Sequence, residues 1–124
     1  MVRSDIKEFI NSIPTTIKVV AATKYIDSQD MKVLFDAGIR DFGENRVDSF
    51  LRKYEVLKDN NLICWHFIGH LQRNKAKEII NKIHSLDSLD SLELANLIQK
   101  ERVHPLDVLI EISINEEENK NGVY

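Results

Sequence analysis

The residues of this sequence that could carry chemistry follow short apolar runs rich in β-branched side chains. In α/β folds, binding and reacting groups gather at the carboxyl ends of parallel strands, because those ends meet at one edge of the sheet. The polar residues and glycines at such positions are Lys24, Gly43, Glu44, Asn45, His66, Gly69, His70, Asp87, Ser113 and Asn115. They offer one primary amine together with carboxylates, amides and imidazoles.

Lys24 follows the apolar run Ile17–Thr23 and is the most informative of these residues. Partial desolvation at the mouth of an apolar strand would favour its neutral amine, which condenses with aldehydes to form a Schiff base. A lysine that simply extends from a strand end into solvent is the more common arrangement. Spacing alone does not separate the two interpretations.

Two other segments allow a ligand site or an ordinary structural role. In Phe42–Arg46, a glycine could let the backbone approach a ligand while Asn45 hydrogen-bonds it, but a turn with Glu44 in the first turn of a helix is favoured. Cys64, His66 and His70 do not match the compact spacing of zinc ligands, and no further pair completes a set of four. The sequence therefore predicts no metal site.

Apolar periodicity predicts the elements that position these residues. Short apolar runs predict strands, and apolar residues at helical spacing predict the helices between them. The predicted strands are 17–23, 39–42, 62–68, 83–86 and 106–112. Helices are predicted over 5–13, from a cap at Asp27 or Ser28 to Gly38, from Val47 to Tyr54, from about Gln72, and from a cap at Asp87 or Ser88. Alternating strands and helices of this length indicate a parallel sheet.

Composition narrows the class of protein. The chain has 124 residues, 43% of them hydrophobic and 30% charged, with a formal net charge of −3, which is typical of one globular domain or part of one. This balance does not favour binding to nucleic acid or to an anionic membrane. No apolar stretch approaches the ~20 residues of a membrane span. With a single cysteine and no signal-like apolar region, a cytoplasmic location is expected.

Two architectures fit five predicted strands. One is an open doubly wound sheet, and the other is the first part of a TIM-type (β/α)8 barrel, which takes ~250 residues. An open sheet normally ends with a helix over its last strand, whereas Asn119–Tyr124 is polar and loop-like, so the barrel is favoured. Residues 1–124 are then expected to be an incomplete single domain, whose open sheet edges favour self-association.

Four segments in order resemble one family. These are Val20–Lys24 (VAATK), Ala37–Arg46 (AGIRDFGENR), Trp65–Lys75 (WHFIGHLQRNK) and Ile112–Gly122 (ISINEEENKNG). From about residue 16 onward the chain is similar to the pyridoxal phosphate homeostasis proteins of the YggS/PROSC type, which are relatives of the alanine racemase barrel domain. The chain resembles only the N-terminal half of these proteins. Ala22-Thr23 occupies the position where the family more often has Val-Ser.

The resemblance implies a cofactor and a site. It implies that Lys24 holds pyridoxal 5′-phosphate as an aldimine and that Asn45 lies beside the cofactor. It also implies that His66, Gly69 and Asn115 line the same site, at the carboxyl ends of the strands. The implied role is cofactor homeostasis without robust catalysis, with pyridoxal phosphate-dependent apo-enzymes as possible partners. The alternatives are a fragment of a racemase-type enzyme and an open-sheet interaction module without cofactor. Barrel phosphate sites usually follow strands seven and eight, so weak cofactor binding by these 124 residues is expected.

Overall fold

Strands and helices alternate along residues 4–113, the part of the chain that the computed structural model describes. The strands are β1 (Val20–Ala22), β2 (Asp41–Glu44), β3 (Cys64–Phe67), β4 (Ser85–Leu89) and β5 (Asp107–Ile110). The helices are α1 (Ile6–Asn11), α2 (Ser28–Asp36), α3 (Val47–Leu57), α4 (Arg73–Ala76) and α5 (Leu92–Glu101). Within these residues, no helix has the length and apolar composition needed to cross a bilayer.

The five strands form one parallel sheet in the order β1-β2-β3-β4-β5. A doubly wound sheet reverses its strand order at a switch point, and this sheet does not. Because crossovers between parallel strands are right-handed, sequential order places the helices on one face of the sheet. This is the arrangement of a TIM-type barrel, so the barrel expectation is confirmed for these five strands.

The core lies between the sheet and the helices. Phe42 of β2 and Trp65 of β3 are register partners and point to the helices, where Phe50 of α3 meets Trp65 edge-on at 5.3 Å between ring centroids. Side chains alternate along a strand, so the neighbours of Phe42 and Trp65 point the other way. We call that opposite side the inner face; it carries Asp41, Gly43, Cys64, His66, Ser85 and Asp87.

Two predicted helix boundaries are confirmed and one is wrong. Asp27 caps α2 by accepting the Asp30 N–H at 2.9 Å, and Gly38 follows α2 with φ of 115°, a left-handed conformation that suits glycine. The predicted cap of α5 at Asp87 or Ser88 is wrong, because β4 continues to Leu89 and Ser91 caps the helix instead.

The predicted strand ends also shift. Strand β2 starts at Asp41 rather than at residue 39 and runs through Glu44, so Gly43 and Glu44 lie in the sheet and not in a loop after it. Asp87 likewise lies within β4 instead of following it. Glu44 belongs to the strand because it pairs in register with Phe67 of β3, a long-range contact that local pattern does not encode.

Candidate functional site

Lys24, Asn45 and Gly69 come together at the carboxyl ends of β1, β2 and β3. The Thr23 N–H donates to the Gly43 carbonyl at 3.0 Å, which places Lys24 and Asn45 at the same level of adjacent strands. The Ile68 N–H donates to the Glu44 carbonyl at 2.8 Å and brings the next residue, Gly69, beside Asn45. The structure thus brings three of the predicted site residues together.

The amine of Lys24 is open to solvent in the described part of the chain. Its side chain is exposed, and Nζ lies 5.0 Å from the ring centroid of Tyr25, which is itself 88% exposed. Of the two interpretations left open by the sequence, the lysine that extends from a strand end into solvent is the one found in this structure. The reason is that no element among residues 4–113 covers the inner face next to it. An exposed primary amine is accessible to an incoming carbonyl compound.

A buried ion pair anchors the backbone on which Lys24 stands. Lys53 of α3 donates from Nζ to the Thr23 carbonyl at 2.6 Å and to Glu44 Oε2 at 2.9 Å, and the Thr23 hydroxyl donates to the same carboxylate. Thr23, Glu44 and Lys53 are 0%, 0% and 3% exposed. The network ties the ends of β1 and β2 to α3, one residue before Lys24 and one before Asn45.

This network was not predicted from the sequence. Lys53 lies three residues after Phe50 and four before Leu57, on the buried stripe of α3, and a lysine on an apolar stripe is the one signal that could have found it. Glu44 was predicted at the start of a helix. That placement is wrong, because the side chain is fully buried at the end of β2.

Gly69 packs directly against Asn45. A Cβ built on Gly69 would lie 2.4 Å from the Asn45 carbonyl oxygen and 2.8 Å from the Asn45 Cβ. The Ser88 hydroxyl of β4 donates to the Gly69 carbonyl and holds the turn in place. The absence of a side chain at residue 69 is thus what lets Asn45 occupy its position.

Replacing Gly69 with alanine is expected to displace Asn45 and to lower the free energy of unfolding by about 1–3 kcal/mol, the usual cost of overpacking. Gly43→Ala is the matched control, because its Cβ would meet the movable Ile68 side chain at 3.0 Å rather than a neighbouring backbone. Urea denaturation measures both variants. Equal losses for the two alanine variants would contradict the role assigned to Gly69.

His66 lies deeper on the inner face, within β3. It pairs in register with Gly43, two residues before Asn45, which puts it about 6.6 Å below the strand ends. Its Nε2 lies 2.9 Å from Asp41 Oδ1 and its Nδ1 lies 3.1 Å from Asp87 Oδ2. Both ring nitrogens are engaged, so contact between His66 and a ligand at Lys24 stays a prediction.

The remaining residues singled out in the sequence differ in their placement. His70 is exposed, lines a surface pocket together with Asn45, and pairs through Nδ1 with Asp90 at 2.8 Å. Asn115 lies outside the described residues. Cys64 neighbours His66 on the inner face, where burial, and after it a hydrogen bond to Asp41, raises the pKa of the Cys64 thiol to about 11. The thiol is therefore protonated at neutral pH.

Curated relatives of this chain share one description. It is 43% identical over 109 residues to a pyridoxal phosphate homeostasis protein of Aquifex aeolicus, covering 86% of this chain and 47% of the relative. A protein of the same description from Synechocystis is 36% identical over 118 residues, covering 93% of this chain and 54% of the relative. The chain spans about half the length of the curated relatives it matches. No protein-family model matches it.

Solved structures agree with the sequence relatives. PipY of Synechococcus elongatus, solved with pyridoxal phosphate bound, superposes with a TM-score of 0.85 at 26% identity, over 96% of this chain and 58% of PipY. The form of PipY without pyridoxal phosphate superposes with a TM-score of 0.84. The described sheet therefore has the fold of part of these proteins.

Proposed function

This chain is a relative of the pyridoxal phosphate homeostasis proteins, about half of whose length it spans, and we propose on that premise that it binds pyridoxal 5′-phosphate in cofactor homeostasis. The observation that carries the proposal is the accessible amine of Lys24, beside Asn45 at the carboxyl ends of β1 and β2. The similarity to PipY, which was solved with pyridoxal phosphate bound, supports it.

The residues at this edge fit the aldehyde side of the cofactor. Pyridoxal 5′-phosphate supplies an aldehyde, which condenses with a primary amine to give a carbon–nitrogen double bond and water. Lys24 Nζ provides that amine, and the buried Lys53–Glu44–Thr23 network holds its backbone in place. The Asn45 amide, half-buried beside it, can donate to and accept from a polar ring substituent.

We propose that the phosphate group of the cofactor is bound mainly by residues other than those the structure describes. TIM-type barrels commonly bind phosphate at the loops after strands seven and eight, whereas the described strands end with β5. We therefore assign the amine-bearing part of the site to residues 4–113 and treat the chain as part of a single barrel domain. Gly69 contributes by positioning Asn45, and His66 and Asn115 remain proposed members of the site.

We propose a carrying role rather than catalysis, in keeping with the homeostasis description of the relatives. Lys24 would hold the cofactor through its amine, and apo-enzymes that lack the cofactor would be its recipients. Racemisation, in contrast, needs a proton donor on each face of the substrate α-carbon, and one lysine serves only one face. We therefore propose transfer to apo-enzymes and no robust turnover.

Titration with pyridoxal 5′-phosphate tests the proposed function. The expected result is a saturable shift of absorbance from free aldehyde to Schiff base, which pyridoxamine 5′-phosphate does not give, because it carries the phosphate but lacks the aldehyde. The same protein is expected not to interconvert L- and D-alanine. An unchanged cofactor spectrum would refute binding through an amine, and sustained interconversion would refute the non-catalytic role.

A further inference from the structure

A second cluster of side chains lies on the inner face, below the cofactor edge. Asp41 and Cys64 are the first residues of β2 and β3 and pair in register, and His66 follows on the same face two residues later. One ligand atom from each of the three lies within 4.8 Å of the other two. We propose that Asp41, Cys64 and His66 bind a zinc ion, with a solvent molecule as the fourth ligand.

The distances within the cluster match tetrahedral zinc. Zn–S bonds of ~2.3 Å and Zn–N bonds of ~2.0–2.1 Å at a tetrahedral angle put the sulfur and nitrogen about 3.5 Å apart. Cys64 Sγ and His66 Nε2 are 3.7 Å apart. Asp41 Oδ1 is 2.9 Å from the same nitrogen and needs to move away by about 0.5 Å for zinc to enter.

The surroundings of His66 orient it as a metal ligand. A neutral imidazole has one N–H and one lone pair. Nδ1 lies 3.1 Å from Asp87 Oδ2, and the Ser85 hydroxyl donates to Asp87. With zinc bound at Nε2, the Nδ1 N–H would donate to Asp87. Nε2 itself lies 2.9 Å from Asp41 Oδ1 and 3.7 Å from Cys64 Sγ, on the side of the ring where the other two ligands lie. At zinc sites, the ring nitrogen of histidine that does not bind the metal commonly donates its N–H to a carboxylate.

The three ligands balance the charge of the ion. Among the described residues, the Asp41 side chain is 15% exposed and Cys64 is half-buried. A coordinating zinc ion deprotonates a thiol, and the thiolate and the Asp41 carboxylate together neutralise its two charges. Aspartate oxygen, cysteine sulfur and imidazole nitrogen are all common zinc ligands.

Cobalt(II) substitution tests the site directly in the chelator-treated protein without pyridoxal phosphate. The expected result is one equivalent of tightly bound cobalt with the visible bands of a tetrahedral ion and a thiolate-to-metal charge-transfer band, all of which zinc displaces. Cys64→Ser should remove the charge-transfer band. Asp87→Asn should weaken binding about 10–100-fold through the loss of the outer partner.

His70→Ala is the matched control, because His70 is an exposed histidine that pairs with Asp90 outside the cluster. It should bind cobalt with unchanged affinity and spectrum. Far-ultraviolet circular dichroism of the stripped Cys64→Ser protein verifies that it is folded. Absence of saturable cobalt and zinc binding in the wild-type protein, or a charge-transfer band that survives in Cys64→Ser, would overturn the proposal.

Discussion

Lys24→Ala is expected to abolish the Schiff-base absorbance that pyridoxal 5′-phosphate gives with the wild-type protein. The alanine variant has no amine at the strand end, and arginine cannot substitute, because its guanidinium stays protonated and does not condense. Lys18→Ala is the matched control, since Lys18 is an exposed lysine that lies before β1 rather than after it. It should give the full absorbance change. Undiminished absorbance in Lys24→Ala would show that another amine carries the cofactor.

Lys53→Met is expected to destabilise the fold by about 3–5 kcal/mol, the usual cost of removing one partner of a buried ion pair. The variant leaves the fully buried Glu44 carboxylate with the Thr23 hydroxyl but without a cation. It also removes the shorter of two hydrogen bonds to the Thr23 carbonyl, which keeps only the Ile26 N–H at 3.3 Å. Chemical denaturation measures the loss, with the transition midpoint and slope fitted separately.

Lys58→Met is the matched control for this loss. Lys58 lies just after the same helix and pairs with Glu55 at 2.8 Å, but both side chains are exposed, so little change in stability is expected. A double variant, Lys53→Met with Glu44→Leu, should recover part of the stability, because no unpaired charge remains buried. A loss below about 1 kcal/mol for Lys53→Met alone would contradict the anchoring role of this pair.

The sequence was sufficient to predict the order of elements and the type of sheet. Apolar runs located the five strands, Asp27 and Gly38 marked the two ends of α2, and the predicted barrel agrees with the sequential strand order. Strand ends were less predictable, because tertiary contacts set them. Glu44 remains in β2 because it pairs in register with Phe67 of β3, and that pairing is decided by the sheet rather than by the local pattern.

The candidate site was predictable where a general rule of parallel sheets applies. Lys24, Asn45 and Gly69 follow three neighbouring strands, so their proximity follows from the topology alone. The inner-face cluster was not predictable, because Asp41 lies 23 residues before Cys64 and only the register of β2 and β3 brings them together. In the sequence, Cys64, His66 and His70 are the residues that resemble scattered metal ligands. In the structure, Cys64 and His66 lie next to Asp41 instead, and His70 lies on the surface beside Asp90.

The most direct test of the central claim is to identify the lysine that carries the cofactor. The protein is saturated with pyridoxal 5′-phosphate, reduced with borohydride to make the carbon–nitrogen bond permanent, digested, and analysed by mass spectrometry of its peptides. The position of Lys24 at the end of β1 predicts one stoichiometric phosphopyridoxyl group on Lys24 and none on Lys18 or Lys53. A group found chiefly on another lysine, or spread thinly over many, would contradict it.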